Sequence, residues 1–242
     1  MNYRFIHIIG SMDPKYGGPP VVVANLAISQ RKKGHYVSII SSYVSDKEFD
    51  DVDKEFNFLR KESVNLILHK AFSFYRISFK FLNIFFQNDP NSVFYFHGFY
   101  RWPSSIGAFI CRLMNHKYVI RIHGSLDPYL LRKSTKGSLF YFFKKLSELI
   151  IDFPNLRKAS LIHVTSANEL KKLPNHLKRS SNIAVIPNGI SIHPNDKHLD
   201  IRKHYKLNSN EKILLFLGRI NEKKGIDILI DSFPKVFKQI EN

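Results

Sequence analysis

Three short stretches of this 242-residue chain combine residue types that can do chemistry together. The first is Gly17-Gly18-Pro19. Glycine lets the backbone approach a ligand closely, and a helix opening just behind it would present unpaired N–H groups to an anion. The spacing is neither G-x-G-x-x-G nor a Walker A loop with its lysine, so a ligand cradle and a plain turn are both readings of it. The second is a pair of His-Gly steps, His97-Gly98 and His123-Gly124. A histidine ending a strand of an α/β domain faces the crevice, where it can donate a hydrogen bond or take a proton; a satisfied structural histidine is the alternative for each. The third is Gly218-Arg219 followed by Lys224-Gly225. Arginine offers a planar fork of donors, lysine a mobile point charge, and a following helix its dipole, which together describe a pyrophosphate site. Lys224 at the mouth of a helix opposes that dipole unless an anion compensates it, which favours the ligand over a solvated turn. The chain has eleven histidines. The other nine show neither such placement nor metal-ligand spacing, so no metal site is expected.

These residues need elements to hold them. Apolar, β-branched runs over 3–9, 36–41, 65–69, 93–97, 117–122, 161–165 and 182–186 read as strands. Between them, 21–33, 103–115 and 137–153 read as helices, the first closed by Gly34 and the second opened by Pro103. Ser166 with Glu169 forms a capping-box pattern opening a further helix. Strand, loop, helix, strand in repetition is the mark of a doubly wound α/β domain with a parallel sheet, and its crevice is expected at the carboxyl ends of the strands. Residues 191–211 are polar and read as a linker with one short helix. Then 212–217 reads as a buried strand and 225–240 as a helix with apolar positions at Ile226, Leu229, Ile230, Phe233 and Phe237. One strand and one helix cannot enclose a core, so this last part reads as the truncated start of a second domain. The organisation expected is therefore 1–190, a linker over 191–211, and 212–242.

Composition narrows the functional classes. Hydrophobic residues make up 44%, enough for a packed core and too many for global disorder. A single cysteine, Cys111, rules out an intrachain disulfide and reads as a small buried residue. The opening residues lack the apolar length of a secretory signal, and no run approaches roughly 18 apolar residues, so a cytoplasmic chain is expected. The net charge of +17 predicts attraction to anions: nucleic acid, an anionic membrane surface or phosphorylated substrates. Nucleic acid is the weakest of these, because no recognition motif accompanies the charge. Aromatic residues between Phe72 and Phe86 and between Phe140 and Phe143 adjoin basic ones; such segments pack into a core or lie on a membrane interface.

Four segments, in order, resemble glycosyltransferase family 4: IIGSMDPKYGGPPVVVANLA, RIHGSLDPYLL, IAVIPNGI and LFLGRINEKKGIDILIDSF. The resemblance covers essentially the whole chain. It implies the GT-B architecture of two Rossmann-like domains across a cleft. It also implies transfer of a sugar from a nucleotide-diphosphate donor with retention at the anomeric carbon, with no metal cofactor because basic side chains and helix dipoles stabilise the leaving diphosphate. Arg219 and Lys224 would hold that diphosphate, and His123 would act at the donor sugar near the reacting carbon. Gly17, Gly18 and His97 would line the cleft, and Asn188-Gly189 would form a structural turn.

One departure counts against a complete donor site. The family's second domain carries a Glu-x7-Glu motif, and after Lys224 the only acids are Asp227, Asp231 and Glu241, at the wrong spacing. Two functions are therefore carried forward. The first is a glycosyltransferase acting on a glycan or lipid-linked acceptor in cell-surface polysaccharide assembly, peripheral to the inner membrane face. The second is a non-catalytic acceptor- or partner-binding half that needs a separate donor-binding chain. Acceptor choice is expected in the loops 43–58 and 99–102.

Overall fold

The computed structural model describes residues 2–240 apart from 73–75, 87, 88, 90, 127–141, 143, 144, 180, 181, 190–199, 219 and 221. The chain divides into two compact units, Met1–Ile192 and His193–Asn242.

All seven strands expected in the first unit form: β1 (Arg4–Ile9), β2 (Tyr36–Tyr43), β3 (Asn65–Lys70), β4 (Ser92–His97), β5 (Lys117–Arg121), β6 (Leu161–Val164) and β7 (Ile183–Val185). They make one sheet in the order β3-β2-β1-β4-β5-β6-β7, and every pairing is parallel. This is a doubly wound, Rossmann-like α/β fold. The reversal of strand order falls between β1 and β4, the place where such sheets open a crevice.

Because side chains alternate along a strand, the sheet has two faces of different composition. One carries Ile6, Ile8, Ile40, Phe94, Phe96, Ile120, Ile162 and Val164 into a large apolar core. Helix α4 (Trp102–Leu113) and Phe81 and Phe85 close that core. Gly107 of α4 lies directly on the aromatics: a Cβ there would fall 2.5 Å from Phe96 Cε1 and 2.9 Å from Phe85 Cζ. The buried Cys111 belongs to this same core, and burial pushes its thiol pKa up. On the opposite face Ile9, Val37 and Ile39 meet Val23, Ala24 and Ala27 of α1 (Gly18–Lys32). Prolines at the first turn of α1 cost no hydrogen bond, and Gly34, at φ 87°, ends it.

Residues 43–58, expected as a loop carrying acceptor choice, are largely helical. They form α2 (Asp46–Phe56), whose Val52 and Phe56 are buried, followed by α3 (Phe58–Lys61) with Leu59 buried. Ser45 caps α2 by accepting from Glu48 N at 3.2 Å, while Glu48 accepts from Val44 N at 2.9 Å. The same carboxylate takes a hydrogen bond from Ser11 and pairs with Arg76 at 2.7 Å. Arg76 also donates to Ser42 O and Tyr16 Oη. Both partners of this ion pair are almost wholly buried, so neither can fall back on water.

Two other expectations change in detail. The helix expected to end at 153 continues through a π-helical turn, Glu148–Asp152, into α5 (Phe153–Lys158); 137–141, 143 and 144 lie outside the described residues. The aromatics divide between the two environments. Phe81 and Phe85 are core, whereas Phe72, Phe79, Phe86 and Phe142 are exposed. Phe74, Tyr75, Phe140, Tyr141 and Phe143 lie outside the described residues.

Beyond the first unit, a short helix, Ile201–Tyr205, forms with Asp200 as its cap, and a longer one runs over Ile226–Ile240 with Pro234 inside it. The strand expected at 212–217 is not formed, and Leu214, Leu215 and Leu217 are exposed. A parallel strand exists only through neighbours that take its N–H and C=O groups, and none of the described residues supplies one here. Among the described residues no helix is long and apolar enough to cross a membrane.

Two substitutions test this packing. Glu48→Ala leaves the Arg76 charge buried without its partner and should cost about 3–5 kcal/mol in urea unfolding. Gly107→Ala gains helix propensity but collides with Phe96 and Phe85, and a net loss of about 1–3 kcal/mol is expected; a neutral or stabilising change would contradict the close approach.

Candidate functional site

The carboxyl ends of the strands carry an unusual feature for a buried sheet. In the β1–β4 ladder His7 pairs with Tyr95, and in the β4–β5 and β5–β6 ladders His97 pairs with Arg121 and Arg121 with His163. Registered neighbours share a face, so these five side chains form a polar row on the α1 side of the sheet. All five are 8% exposed or less. Their rings stack: Tyr95 lies on His97 at 4.9 Å between centroids and on His7 at 5.2 Å.

A buried polar row must be satisfied internally. His163 donates from Nε2 to Ile186 O at 2.7 Å, and since a carbonyl only accepts, its Nδ1 receives the Tyr95 hydroxyl proton. Arg121 donates to Asn188 Oδ1, while its Nε is buried without a partner. His7 reaches Gln30 Oε1 of α1 through Nε2 at 2.6 Å and His97 Nε2 through Nδ1 at 2.9 Å. His97 Nδ1 in turn lies 3.2 Å from His123 Nε2. Gln30, His7, His97 and His123 are thus one continuous chain of hydrogen bonds.

The chain surfaces at His123. Here the backbone leaves β5 through two successive left-handed residues, His123 at φ 51° and Gly124 at φ 70°. For a non-glycine residue that conformation is costly and persists only where the surroundings impose it. Glu169 is the clamp: it accepts from Gly124 N at 2.6 Å, Thr165 N at 2.6 Å and Thr165 Oγ1 at 2.8 Å. Ser166 caps the helix α6 (Ala167–Lys172) by accepting from Glu169 N, as the sequence pattern implies, but the Glu169 carboxylate turns away to hold the His123-Gly124 turn.

Around His123 the surface opens into a cleft of about 330 Å³, bounded by Gly18 and Pro19 at the start of α1, by Gly124, by Thr165 and Glu169, and by Asn188. A second cavity of about 210 Å³ lies on the other side of His123, walled by Tyr16, Arg76 and His97. Gly17, at φ 75° and ψ −124°, makes the turn into α1 that only glycine adopts readily, and Gly18 forms the cleft wall. Asn188, expected in a structural turn, lies in irregular chain after β7, where it walls the cleft and accepts from Arg121. Lys224 is exposed in a 3₁₀ turn, Glu222–Lys224, of the other unit, and Arg219 lies outside the described residues. Among the described residues no three His, Cys, Asp or Glu side chains converge as metal ligands.

The electrostatics keep the histidines neutral. Burial, opposed by the Gln30 hydrogen bond and assisted by the Arg121 charge, lowers the His7 pKa to about 4. Burial and Arg121 lower that of His123 to about 3, and His97 is held well below its ordinary value by burial and its neighbouring rings. Burial raises the Glu169 pKa, but the Thr165 and Gly124 hydrogen bonds and the field of His123 outweigh it, and the net direction is down. The cleft thus presents a neutral imidazole beside a carboxylate.

Of these residues, the His-Gly steps single out His97 and His123, whereas His7 and His163 stand among the unplaced histidines and Arg121, Tyr95 and Gln30 belong to no motif. A signal is nonetheless present: each of FIHII, FYFH, VIR and LIHV puts a polar side chain at the same parity of an otherwise apolar strand.

A pH titration of stability tests the neutral row. Unfolded histidines take up protons near pH 6.5, whereas in the folded chain His7 stays neutral to about pH 4 and His123 to about pH 3, and His97 is held well below its ordinary value. Unfolding free energy should therefore be independent of these groups above about pH 7. It should fall by about 1.4 kcal/mol per pH unit for each of His7 and His123 between about pH 6 and 4.5, with His97 acting in the same direction. A flat profile over that interval would contradict the arrangement.

Comparison with known proteins places this geometry. A search of curated protein sequences finds no significant match. Among solved structures, the chain is similar to a UDP-N-acetylglucosamine 2-epimerase candidate from Listeria monocytogenes. The TM-score is 0.52 at 11% identity over 76% of this chain and 44% of that one. It is also similar to S. aureus MnaA in complex with UDP, with a TM-score of 0.52 at 13% identity over 84% of this chain and 51% of that one. At such identities the likeness is one of fold, of the GT-B type, and the chain spans about half the length of the structures it matches. The model of Glycosyltransferase Family 4 matches residues 16–193, from the loop before α1 to beyond β7, so that the cleft, the Glu169 clamp and Gln30, His97 and His123 fall within it, while His7 on β1 precedes it. The chain belongs to glycosyltransferase family 4.

Proposed function

We propose that the chain forms the acceptor-side part of a retaining glycosyltransferase, one that moves a sugar from a nucleotide-diphosphate donor to a glycan or lipid-linked acceptor. The observation that carries this reading is the cleft where Gly18, at the opening of α1, faces His123 across the carboxyl ends of the strands. A neutral imidazole there can make hydrogen bonds to a sugar without adding a net charge. Arg219 and Lys224 hold the leaving diphosphate, and basic side chains stabilise its charge in place of a metal. A UDP complex of a structurally similar protein supports a nucleotide-bearing donor.

The acceptor belongs to cell-surface polysaccharide assembly at the inner face of the membrane. The net charge of +17 and the exposed Phe72, Phe79 and Phe86 support association with an anionic lipid surface. A second reading has its own observation. The helix Ile226–Ile240 exposes Ile228, Ile230, Val236 and Phe237, as a surface met by a further polypeptide would. In that reading the chain is a non-catalytic half that works with a donor-binding partner.

The test is sugar transfer from a panel of nucleotide-diphosphate sugars, with membrane extract as acceptor, alongside calorimetric binding of the same sugars. Transfer that drops about 100-fold in kcat/KM in His123→Ala, and is lost in Arg219→Ala/Lys224→Ala, supports the first reading. Acceptor capture with neither transfer nor donor binding supports the second. Neither acceptor capture nor transfer would remove both.

A further inference from the structure

Of the four groups in the hydrogen-bonded chain, only His123 reaches the cleft, and the glycosyltransferase reading gives Gln30 no task. Gln30 lies in the last turn of α1, its Oε1 2.6 Å from His7 Nε2. Three links connect Gln30 to His123: 2.6 Å to His7, 2.9 Å from His7 to His97, and 3.2 Å from His97 to His123. Each neutral imidazole owns one N–H proton and one lone pair, so the direction of one link dictates the direction of the next. An amide oxygen at the inner end only accepts. His7 must then donate from Nε2 and accept at Nδ1, His97 must do the same, and His123 must spend its proton on His97 through Nε2. An amide nitrogen at the inner end would reverse every link and leave His123 with its proton on Nδ1.

The chain has no route for an extra proton. Gln30 cannot take one near neutral pH, and Arg121, registered beside His97, opposes a second positive charge. It is a device for fixing orientation rather than for conduction. We infer that Gln30 is a positioning residue: acting through His7 and His97, it holds His123 in the Nε2–H tautomer, so that Nδ1 meets the ligand as a hydrogen-bond acceptor. The group recognised at His123 is therefore a hydroxyl of the sugar, which can donate, and not a phosphate oxygen, which cannot. Only this last step rests on the glycosyltransferase reading.

The tautomer can be read without a ligand. Long-range proton–nitrogen correlation spectra of the full chain carrying ¹⁵N-histidine should show His123 Nε2 as the protonated nitrogen and Nδ1 as the bare one. Gln30→Glu, which keeps an acceptor at the inner end, should leave that pattern in place. Gln30→Lys, whose ammonium can only donate, should exchange the two signals at His123 and weaken nucleotide-sugar binding at least 10-fold while UDP binding changes little. A wild-type His123 protonated on Nδ1 would overturn the inference even if the variants fail to fold. A folded Gln30→Lys protein whose His123 pattern is unchanged would overturn it as well. Sugar transfer can fail while the tautomer result stands, so the two proposals are judged separately.

Discussion

Burying a polar group without a partner costs more than most single interactions return, and this chain buries five of them across the middle of its sheet. His7, Tyr95, His97, Arg121 and His163 could not occupy the α1 face unless each found a hydrogen bond, and the positions of much else follow from where those bonds end. Gln30 has to be at the last turn of α1 to meet His7, Ile186 O has to pass His163 just after β7, and Asn188 has to turn back to Arg121. The row thereby ties four strands, the first helix and the segment after β7 into one network. On the other face the demand is lighter and is met at Tyr118, whose hydroxyl donates to Asn155 O at 2.7 Å. Phenylalanine, isoleucine and leucine fill most of the remaining space by shape, and the close fit of Gly107 under Phe96 shows how tight it is.

The same network explains how a strained turn is held at the cleft. His123 is fixed at three levels: its ring by His97, its following peptide N–H by Glu169, and its backbone by the end of β5. Glu169 is itself anchored at the start of α6 by two bonds to Thr165. Sites assembled on rigid elements with a supporting layer of hydrogen bonds hold their geometry better than sites on free loops, and the first unit has this construction around His123. The loop leading into α1 is braced independently, because Arg76 joins Tyr16 to Ser42 and to the buried carboxylate of Glu48.

Much of the fold was legible because its signals are local. Strand runs, the Gly34 stop, the Pro103 start and the Ser166 cap are each written in a few adjacent residues. The His-Gly steps at 97 and 123 marked strand ends correctly for the same reason. Helix α2 was missed although Ser45 and Glu48 spell a capping box, since the charged surface of DKEFDDVDKEF masks the buried Val52 and Phe56. The histidine chain was missed for a different reason. His7 and His97 are ninety residues apart, and which strands lie side by side is a property of the whole sheet that no local window contains. Likewise 212–217 has the composition of a buried strand, but composition cannot provide the neighbours on which a strand depends.

The polar row also governs which sheets the sequence can avoid making. Successive side chains in a strand point to opposite sides, so sliding β4 by one residue against β1 would turn Tyr95 and His97 into the phenylalanine-rich layer and push Phe94 and Phe96 into contact with Arg121 and His7. Either displacement strands polar atoms in hydrocarbon. Each of the three central strands carries at least one such residue, so mispairing is penalised at every ladder that one of these strands joins. An all-aliphatic sheet would tolerate such slips far more readily, and in this chain the residue that reaches the cleft is hydrogen-bonded to those that select the native alignment over its near neighbours.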